Sequence, residues 1–204
     1  YLQEGGAVRA QELDARTLAA VARDYLALYR KLTGDEFPQD VHEQLDAAVH
    51  AVFRSWLNAR AVEYRRLHHL DDTAGTAVTV QRMVFGNAGG SSGSGVAFTR
   101  NPATGENRLY IDFLFNAQGE DVVSGRQALQ DSEQLATVLP QLMQQIVSIS
   151  RTLEAEFRDV QEFELTIQDG VLYLLQTRTG KRTPWAALRI AVEQVREGLI
   201  APAE

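Results

Sequence analysis

The sequence contains no cysteine, so disulfide bonds, thiolate catalysis and cysteine-ligated zinc or iron–sulfur sites are all excluded. It also has no apolar run near the roughly 20 residues that span a bilayer, and its first four residues do not resemble a signal peptide. Acidic residues outnumber basic ones by 27 to 20, giving a formal net charge of -7. This balance argues against partners such as nucleic acid or an anionic membrane. We therefore expect a soluble, cytoplasmic protein, and the missing initiator methionine predicts a fragment or a trimmed product.

The composition is that of a globular chain, because 45% of its 204 residues are hydrophobic and 23% are charged. Helical patterns come first, and strand patterns interleaved with a helix follow after Gly75. This order is typical of the α+β class. We predict a helical part at residues 1–75, a β-rich part at 76–180 and a further helix within 181–204.

Apolar residues at three- and four-residue steps predict the helices. Leu18, Val21, Tyr25, Leu28 and Leu32 mark one buried stripe of a first helix over residues 13–32. Asp40 is expected to cap a second helix, with Glu43 as its partner in a capping box. The remaining predicted helices are a short one between Asn58 and His69, a long one over residues 130–157 that breaks or restarts at Pro140, and one over 185–195.

Strands are predicted where β-branched and aromatic residues concentrate between turn residues. The predicted strand segments are residues 78–85, 96–99, 109–115, 160–168 and 171–178.

The last two strands form a hairpin whose register depends on its turn. A two-residue loop, Asp169-Gly170, pairs Gln168 with Val171, whereas a three-residue loop pairs Ile167 with Val171. The three-residue loop collects Phe163, Leu165, Ile167, Val171, Tyr173 and Leu175 on one apolar face. The hydrophobic pattern therefore favours the three-residue loop.

That register places Glu162, Glu164, Gln176 and Arg178 together on the opposite face. Carboxylate and amide oxygens are ligands that Mg²⁺ accepts, and the fork of an arginine suits a phosphate group. A solvated face with simple Glu–Arg pairing explains the same residues, and such a pair contributes at most about 1 kcal/mol. Both interpretations remain open from the pattern alone.

A glycine- and serine-rich segment occupies residues 86–95, between two predicted strands. Successive glycines let backbone N–H groups converge on an anion, and serines add hydroxyl donors. The segment contains no lysine and no following helix, so it fits neither a P-loop nor a Rossmann fingerprint. A mobile loop or hinge is the alternative.

Several stretches resemble the ATP-grasp nucleotide-binding domain of the pyruvate, phosphate dikinase family. They are EFPQD at 36–40, AVFRSW at 51–56, RAVEYRR at 60–66, VQRMVFGN at 80–87, SGSGVAFTRNPATGE at 92–106, NAQGEDVVSG at 116–125 and FRDVQEFELTIQDGVLYLLQTRTGKRT at 157–183. They occur in the family's order through nearly the whole chain. The resemblance implies an ATP-grasp-like fold with a mainly antiparallel sheet, and ATP and Mg²⁺ as ligands.

The resemblance also implies roles for particular residues. Glu164 and Gln176 would face the metal and the polyphosphate, and Arg178 would hold phosphate. Glu162 stands where the family usually has aspartate. Glutamate keeps the negative charge and is longer by one methylene. Two loops of the nucleotide cleft would include Ser92, Gly93, Ser94, Gly95, Gln118 and Glu120.

In this family ATP, phosphate and pyruvate become AMP, diphosphate and phosphoenolpyruvate through a phosphohistidine. The sequence has no counterpart of the family's lysine-bearing amino-terminal loop, its second phosphate-binding arginine, its phosphohistidine segment or its pyruvate-handling barrel. His42, His50, His68 and His69 are expected to be surface residues, and Arg54, Arg65 and Arg66 fit ion pairing as well as ligand contact. We expect the chain to be an ATP-binding portion that is inactive alone and whose Mg·ATP binding is weak or undetectable. The missing segments are expected partners, and residues 181–204 are expected to lead toward the phosphohistidine domain. The alternative is a stand-alone nucleotide-binding or interaction module without catalysis.

Overall fold

A computed structural model describes residues 13–123 and 132–202. They form helices and a four-stranded antiparallel sheet, which confirms the α+β prediction. The chain divides into two compact units, Tyr1–Gln81 and Arg82–Glu204. The finer division at residues 75 and 180 stays a prediction. Among the described residues, no helix is long and apolar enough to cross a membrane.

The first unit contains the three predicted helices. They are α1 (Ala15–Thr33), α2 (Val41–Ser55) and α3 (Ala59–Leu67). Asp14 caps α1 by accepting from the Thr17 amide at 2.7 Å. The predicted cap Asp40 accepts from the amides of His42 and Glu43. These bonds satisfy donors that the first helical turn leaves without partners.

The prediction of a buried stripe along α1 is wrong. Tyr25 is 69% exposed and Leu32 75% exposed, and the only buried residue of α1, α2 and α3 is Arg65. Amphipathic spacing shows which face of a helix can be buried, but burial also needs another element to cover that face. Arg65 instead stacks over the Trp56 ring at 3.9 Å and bonds Asp72 at 2.6 Å.

The second unit holds the sheet. Its strands are β1 (Gly93–Phe98), β2 (Tyr110–Phe115), β3 (Gln161–Gln168) and β4 (Val171–Thr179), in the order β2-β1-β3-β4. Its helices are α4 (Gly119–Val123), α5 (Ser132–Val138), α6 (Pro140–Phe157) and α7 (Pro184–Arg196). Pro140 starts a second helix, as predicted, because proline fits the first helical turn.

One face of the sheet forms the core with α5 and α6. Phe113, Phe163 and Ile167 pack there with Leu135 and Ile146. Gly93 and Gly95 leave room for the Phe113 ring, because an added Cβ would lie 2.4 Å and 2.9 Å from its atoms. The opposite face of the sheet therefore carries the polar residues of the strands.

The predicted strand over residues 78–85 is wrong, since these residues form no helix or strand. A β-rich sequence becomes a strand only when a partner strand is available. Here Phe85 instead donates its amide to the side-chain oxygen of Gln168 at 2.9 Å.

Candidate functional site

The β3–β4 hairpin turns through Asp169 and Gly170, so the predicted three-residue loop is wrong. Gln168 pairs with Val171, and both turn residues are left-handed, with φ of 52° and 77°. This is the backbone of a two-residue hairpin turn, which glycine adopts freely and aspartate tolerates.

The predicted apolar face is wrong for β4. Ile167 pairs with Leu172 and Leu165 with Leu174, so the two leucines share the core face and the predicted Val171, Tyr173 and Leu175 do not. The run of β4 from Val171 to Leu175 is apolar at every position. Alternation therefore could not identify the inward residues.

A β-bulge follows in β4. Between Glu164 and Leu165 the register shifts, so Glu164 pairs with Gln176 while Leu165 pairs with Leu174. Leu175 is the extra residue. A bulge of this kind redirects the side chains that follow it, and here it sets the register of the polar end of β4.

Beyond the bulge, the structure brings the four predicted polar residues together. Gln176 donates its side-chain amide to the Glu164 carboxylate at 2.7 Å. Arg178 donates to the Glu162 carboxylate and forms an ion pair with it. The hydrogen bond to Glu162 is the main reason that the pKa of Arg178 is raised. The result is a charged row of two cross-strand pairs beside each other.

The exposures within these pairs differ in a way that suits ligand binding. The Glu162 side chain is 8% exposed, whereas that of Arg178 is 55% exposed. Glu164 is half-buried and Gln176 is exposed. The buried Glu162 carboxylate therefore holds the guanidinium of Arg178 in place, and the remaining N–H donors of Arg178 are accessible to solvent.

The donor chemistry of the row fits a magnesium ion shared with a ligand. Within the described ranges, no group of three or more histidines, aspartates or glutamates could hold a metal alone. Mg²⁺ commonly takes one or two carboxylates from a protein and completes its shell with water and phosphate oxygens. Glu164 and the amide oxygen of Gln176 supply oxygens of that kind.

The residues predicted as a phosphate loop are buried. Ser92 precedes β1, and Gly93, Ser94 and Gly95 lie within it. Since β1 is bonded to strands on both sides, its backbone N–H groups belong to the sheet ladder. The Ser94 hydroxyl lies 3.1 Å from that of Thr166, on the same face as Glu164.

The loop predicted to line the cleft contacts the glycine-rich segment. The side-chain oxygen of Gln118 accepts from the Gly86 backbone amide at 3.2 Å, and the backbone amide of Gln118 donates to the Asp121 carboxylate at 2.9 Å. Asn116, with φ of 48°, accepts from the Gly89 amide. Glu120 is exposed in the first turn of α4.

Sequence reasoning missed Asp112 of β2, a further carboxylate on the polar face. Asp112 and Glu164 both pair with Val96, so the three residues lie side by side on neighbouring strands of the sheet. The Tyr110 hydroxyl donates to Asp112 at 3.1 Å. Burial, and next the charge of Asp112, raise the pKa of Tyr110. The alternation of Asp112 with buried Ile111 and Phe113 is the signal that could have identified it.

The four histidines are all exposed, as expected for surface residues. His50 contacts the backbone oxygen of Asp46 at 2.8 Å. Arg66 bonds Glu63 and Arg65 bonds Asp72, which favours the ion-pairing interpretation for these two arginines.

Cavities of 430, 260 and 380 Å³ lie along α6, and Arg151 lines all three. Their linings include none of the four residues of the charged row. These cavities are shallow grooves beside a helix, whereas the charged row has matched acceptors and donors on one sheet face. We therefore place the candidate site on the sheet.

Comparisons with known proteins agree with this architecture. The family described as pyruvate phosphate dikinase, AMP/ATP-binding domain, matches residues 36–139. A pyruvate, phosphate dikinase of Clostridium symbiosum is 50% identical over 194 residues, covering 95% of this chain and 22% of that protein. A chloroplastic pyruvate, phosphate dikinase 1 of Zea mays is 46% identical, covering 94% of this chain and 20% of that protein. A pyruvate, phosphate dikinase of Rhizobium meliloti (strain 1021) is 47% identical, covering 95% and 23%.

The chain thus spans about a fifth of the length of these relatives. The matched residues cover about half of the chain, and they include β1, β2 and α4 with the loops between them. By this match and these identities, the chain belongs to the pyruvate phosphate dikinase AMP/ATP-binding domain family.

Proposed function

We propose that the charged row, Glu162, Glu164, Gln176 and Arg178, binds the metal–polyphosphate part of ATP in a pyruvate, phosphate dikinase. The observation that carries this proposal is the pair of neighbouring cross-strand contacts, Glu164 with Gln176 and Glu162 with Arg178. Their combination of anchored cation and accessible oxygens suits a phosphate chain with its counterion. Membership of the family supports nucleotide as the ligand.

Each residue has a distinct part in this proposal. Arg178 donates to phosphate oxygens while Glu162 holds its guanidinium in place. Glu164 and Gln176 would hold Mg²⁺, which when bound neutralises negative charge on the phosphates. The chain's own contribution is positioning and charge complementarity, the main requirements of phosphoryl transfer.

The surrounding segments complete the proposed cleft. Ser92, Gly93, Ser94 and Gly95 form its floor, and Ser94 presents its hydroxyl on the face of the charged row. Gln118 contacts the glycine-rich segment and Glu120 follows it in the first turn of α4, and we propose that this part of the chain lines the nucleotide side. An ATP-grasp-like arrangement is consistent with an antiparallel sheet that packs α5 and α6 on one face and carries polar groups, beside α4, on the other.

The complete reaction is part of the same proposal. ATP, phosphate and pyruvate would give AMP, diphosphate and phosphoenolpyruvate, with a phosphohistidine on another part of the protein as intermediate. This chain would supply the ATP-binding portion. It carries no phosphoryl-accepting histidine in this proposal, because none of its four histidines lies in a segment that resembles the family's phosphohistidine motif.

Substitution of the metal-facing pair tests the proposal. We expect Glu164→Gln and Gln176→Ala each to weaken Mg·ATP binding by about tenfold or more, since a polar contact with a charged group contributes about 1.5–3 kcal/mol. Binding is measured by titrating the labelled chain to millimolar Mg·ATP and following amide resonances by NMR. Glu156→Gln, an exposed glutamate on α6, is the matched control and should bind as the unaltered chain does. Equal binding by all variants would remove the charged row from the site.

A further inference from the structure

The sequence of the β3–β4 hairpin is compatible with two registers. The hydrophobic pattern favours a three-residue loop with Ile167 opposite Val171, whereas the structure has Ile167 opposite Leu172. Counting back along the first register, Glu162 would face Gln176 instead of Arg178. That register combines the three-residue turn with a β4 that has no bulge at Leu175, and it replaces both cross-strand pairs of the charged row, although both registers bury apolar side chains.

Three contacts from outside the hairpin select the observed turn. The amide of Asp169 donates to the Ser92 hydroxyl at 3.0 Å, and that of Gly170 to the Ser91 carbonyl at 3.1 Å. The amide of Phe85 donates to the Gln168 side chain at 2.9 Å. We call these residues, Phe85, Ser91 and Ser92, the turn clasp.

Ser92 is the member of the turn clasp that acts through its side chain. It is fully buried, and its backbone is fixed by bonds to the Gly89 carbonyl at 3.0 Å and from the Asn116 amide at 2.8 Å. Its hydroxyl is thus held at one point, and it receives the amide of the one turn residue that carries a Cβ in a left-handed conformation. Asp169 offsets the cost of that conformation by this bond.

We propose that Ser92 is a positioning residue for the charged row. By holding the Asp169–Gly170 turn it fixes where β4 begins, and the turn together with the bulge at Leu175 sets Gln176 opposite Glu164 and Arg178 opposite Glu162. It does so through its hydroxyl, which accepts from the Asp169 amide. This role rests on the proposed function of the charged row, while the effect on register stands by itself.

Paired serine substitutions test the inference, because Ser91 contributes only its carbonyl. In the unaltered chain and in Ser91→Ala, NMR should show cross-strand contacts between the backbones of Glu162 and Arg178. In Ser92→Ala we expect these contacts to weaken and contacts of Glu162 to emerge with Thr177, if the bulge at Leu175 is kept, or with Gln176, if it is lost. Hydrogen exchange of the Asp169 amide should accelerate by about tenfold, as follows from loss of one buried hydrogen bond. Unchanged contacts and exchange in Ser92→Ala would overturn the inference.

A measurement on the unaltered chain guards against a variant that does not fold. The Asp169 and Gly170 amides should exchange as slowly as amides of the β3–β4 ladder, whereas a turn without the clasp would exchange them freely. Free exchange would overturn the inference.

If Ser92 controls the register but Mg·ATP shifts no resonance of the charged row, the proposed function fails and the register effect remains. If the register slips and Mg·ATP affinity is unchanged, Ser92 is not a positioning residue for the site.

Discussion

Arg100 is buried among glutamates that come from two helices. Its side chain is 2% exposed and bonds Glu154 of α6 and Glu197, just beyond α7, each at 2.5 Å, with Glu193 at 3.4 Å. Gln194 also donates to Glu154. A buried cation with several bonded partners is costly to remove, because its partners keep their charge. This cluster joins the end of β1 to α6 and α7.

We expect Arg100→Ala to lower the free energy of unfolding by about 3–5 kcal/mol, the usual cost of leaving buried charges without their partner. Arg108→Ala is the control, since Arg108 is an exposed arginine paired with Glu133 at 3.2 Å. An exposed pair contributes at most about 1 kcal/mol. Urea unfolding curves of both variants measure the difference. Equal losses would show that Arg100 is no more important than a surface ion pair.

Glu197 gives this cluster a pH dependence. The hydrogen bond from Arg100 is the main reason that the pKa of Glu197 is lowered, and a hydrogen bond from Asn107 acts in the same direction. A carboxyl whose pKa is lower in the folded state stabilises that state above its unfolded pKa, and this contribution is lost as the pH falls through the folded value.

The docking of α7 should therefore weaken as the pH falls below the ordinary range of a glutamate. Protection factors of the α7 amides, which correct exchange for its intrinsic pH dependence, should fall in the unaltered chain as the pH is lowered from neutral. Glu197→Gln should exchange faster at neutral pH and change less over the acidic window. An unaltered chain and a Glu197→Gln variant with identical pH profiles would contradict the assignment.

At the scale of elements, β1 depends on the absence of side chains. A Cβ on Gly93 would lie 2.4 Å from the Phe113 ring and 2.5 Å from the Leu114 carbonyl. Neither atom can move without disturbing the sheet, since both belong to the neighbouring strand β2. The glycine-rich sequence is thus explained partly by packing.

We expect Gly93→Ala to destabilise the chain by about 1–3 kcal/mol or more, the usual effect of overpacking a core. Gly119→Ala is the control, because nothing lies within 4 Å of a Cβ added there. Thermal unfolding of the two variants compares them directly. A Gly93→Ala chain as stable as Gly119→Ala would mean that the ring of Phe113 yields freely.

The helices were largely predictable from sequence, and the hairpin register was not. Asp40 and Pro140 act within a few residues of the elements they begin, so local sequence contains the information. The turn is instead held by Ser92, whose hydroxyl bonds a residue 77 positions away. Local sequence patterns contain no information on a contact between residues so far apart in the sequence. The polar residues were still grouped correctly, because the bulge at Leu175 offset the error in the turn.

The same reason explains the failed strand over residues 78–85 and the exposed stripe of α1. In both cases the local pattern was sound, but strand pairing and burial are properties of partners distant in sequence. Asp112 was missed because its role as a member of the polar face depends on the order β2-β1-β3-β4. No single strand reveals that order.

At the scale of the whole molecule, the chain combines a helical unit with apolar residues at its surface and a sheet unit with its own core. The charged row lies entirely within the sheet unit. Binding to that row should therefore be visible in this unit by itself. The relatives extend well beyond the segment that the chain matches, and the complete dikinase reaction is proposed for a protein of their length.

The most direct test of the charged row uses Mn²⁺ in place of Mg²⁺ in a titration with ATP. Because Mn²⁺ broadens NMR resonances of nearby nuclei, it reports where the metal–polyphosphate lies. We expect the first losses at Glu164 and Gln176, with Arg178 next, and none at Arg151 in the grooves along α6. Broadening centred on α6, or no broadening with millimolar Mn·ATP, would contradict the account.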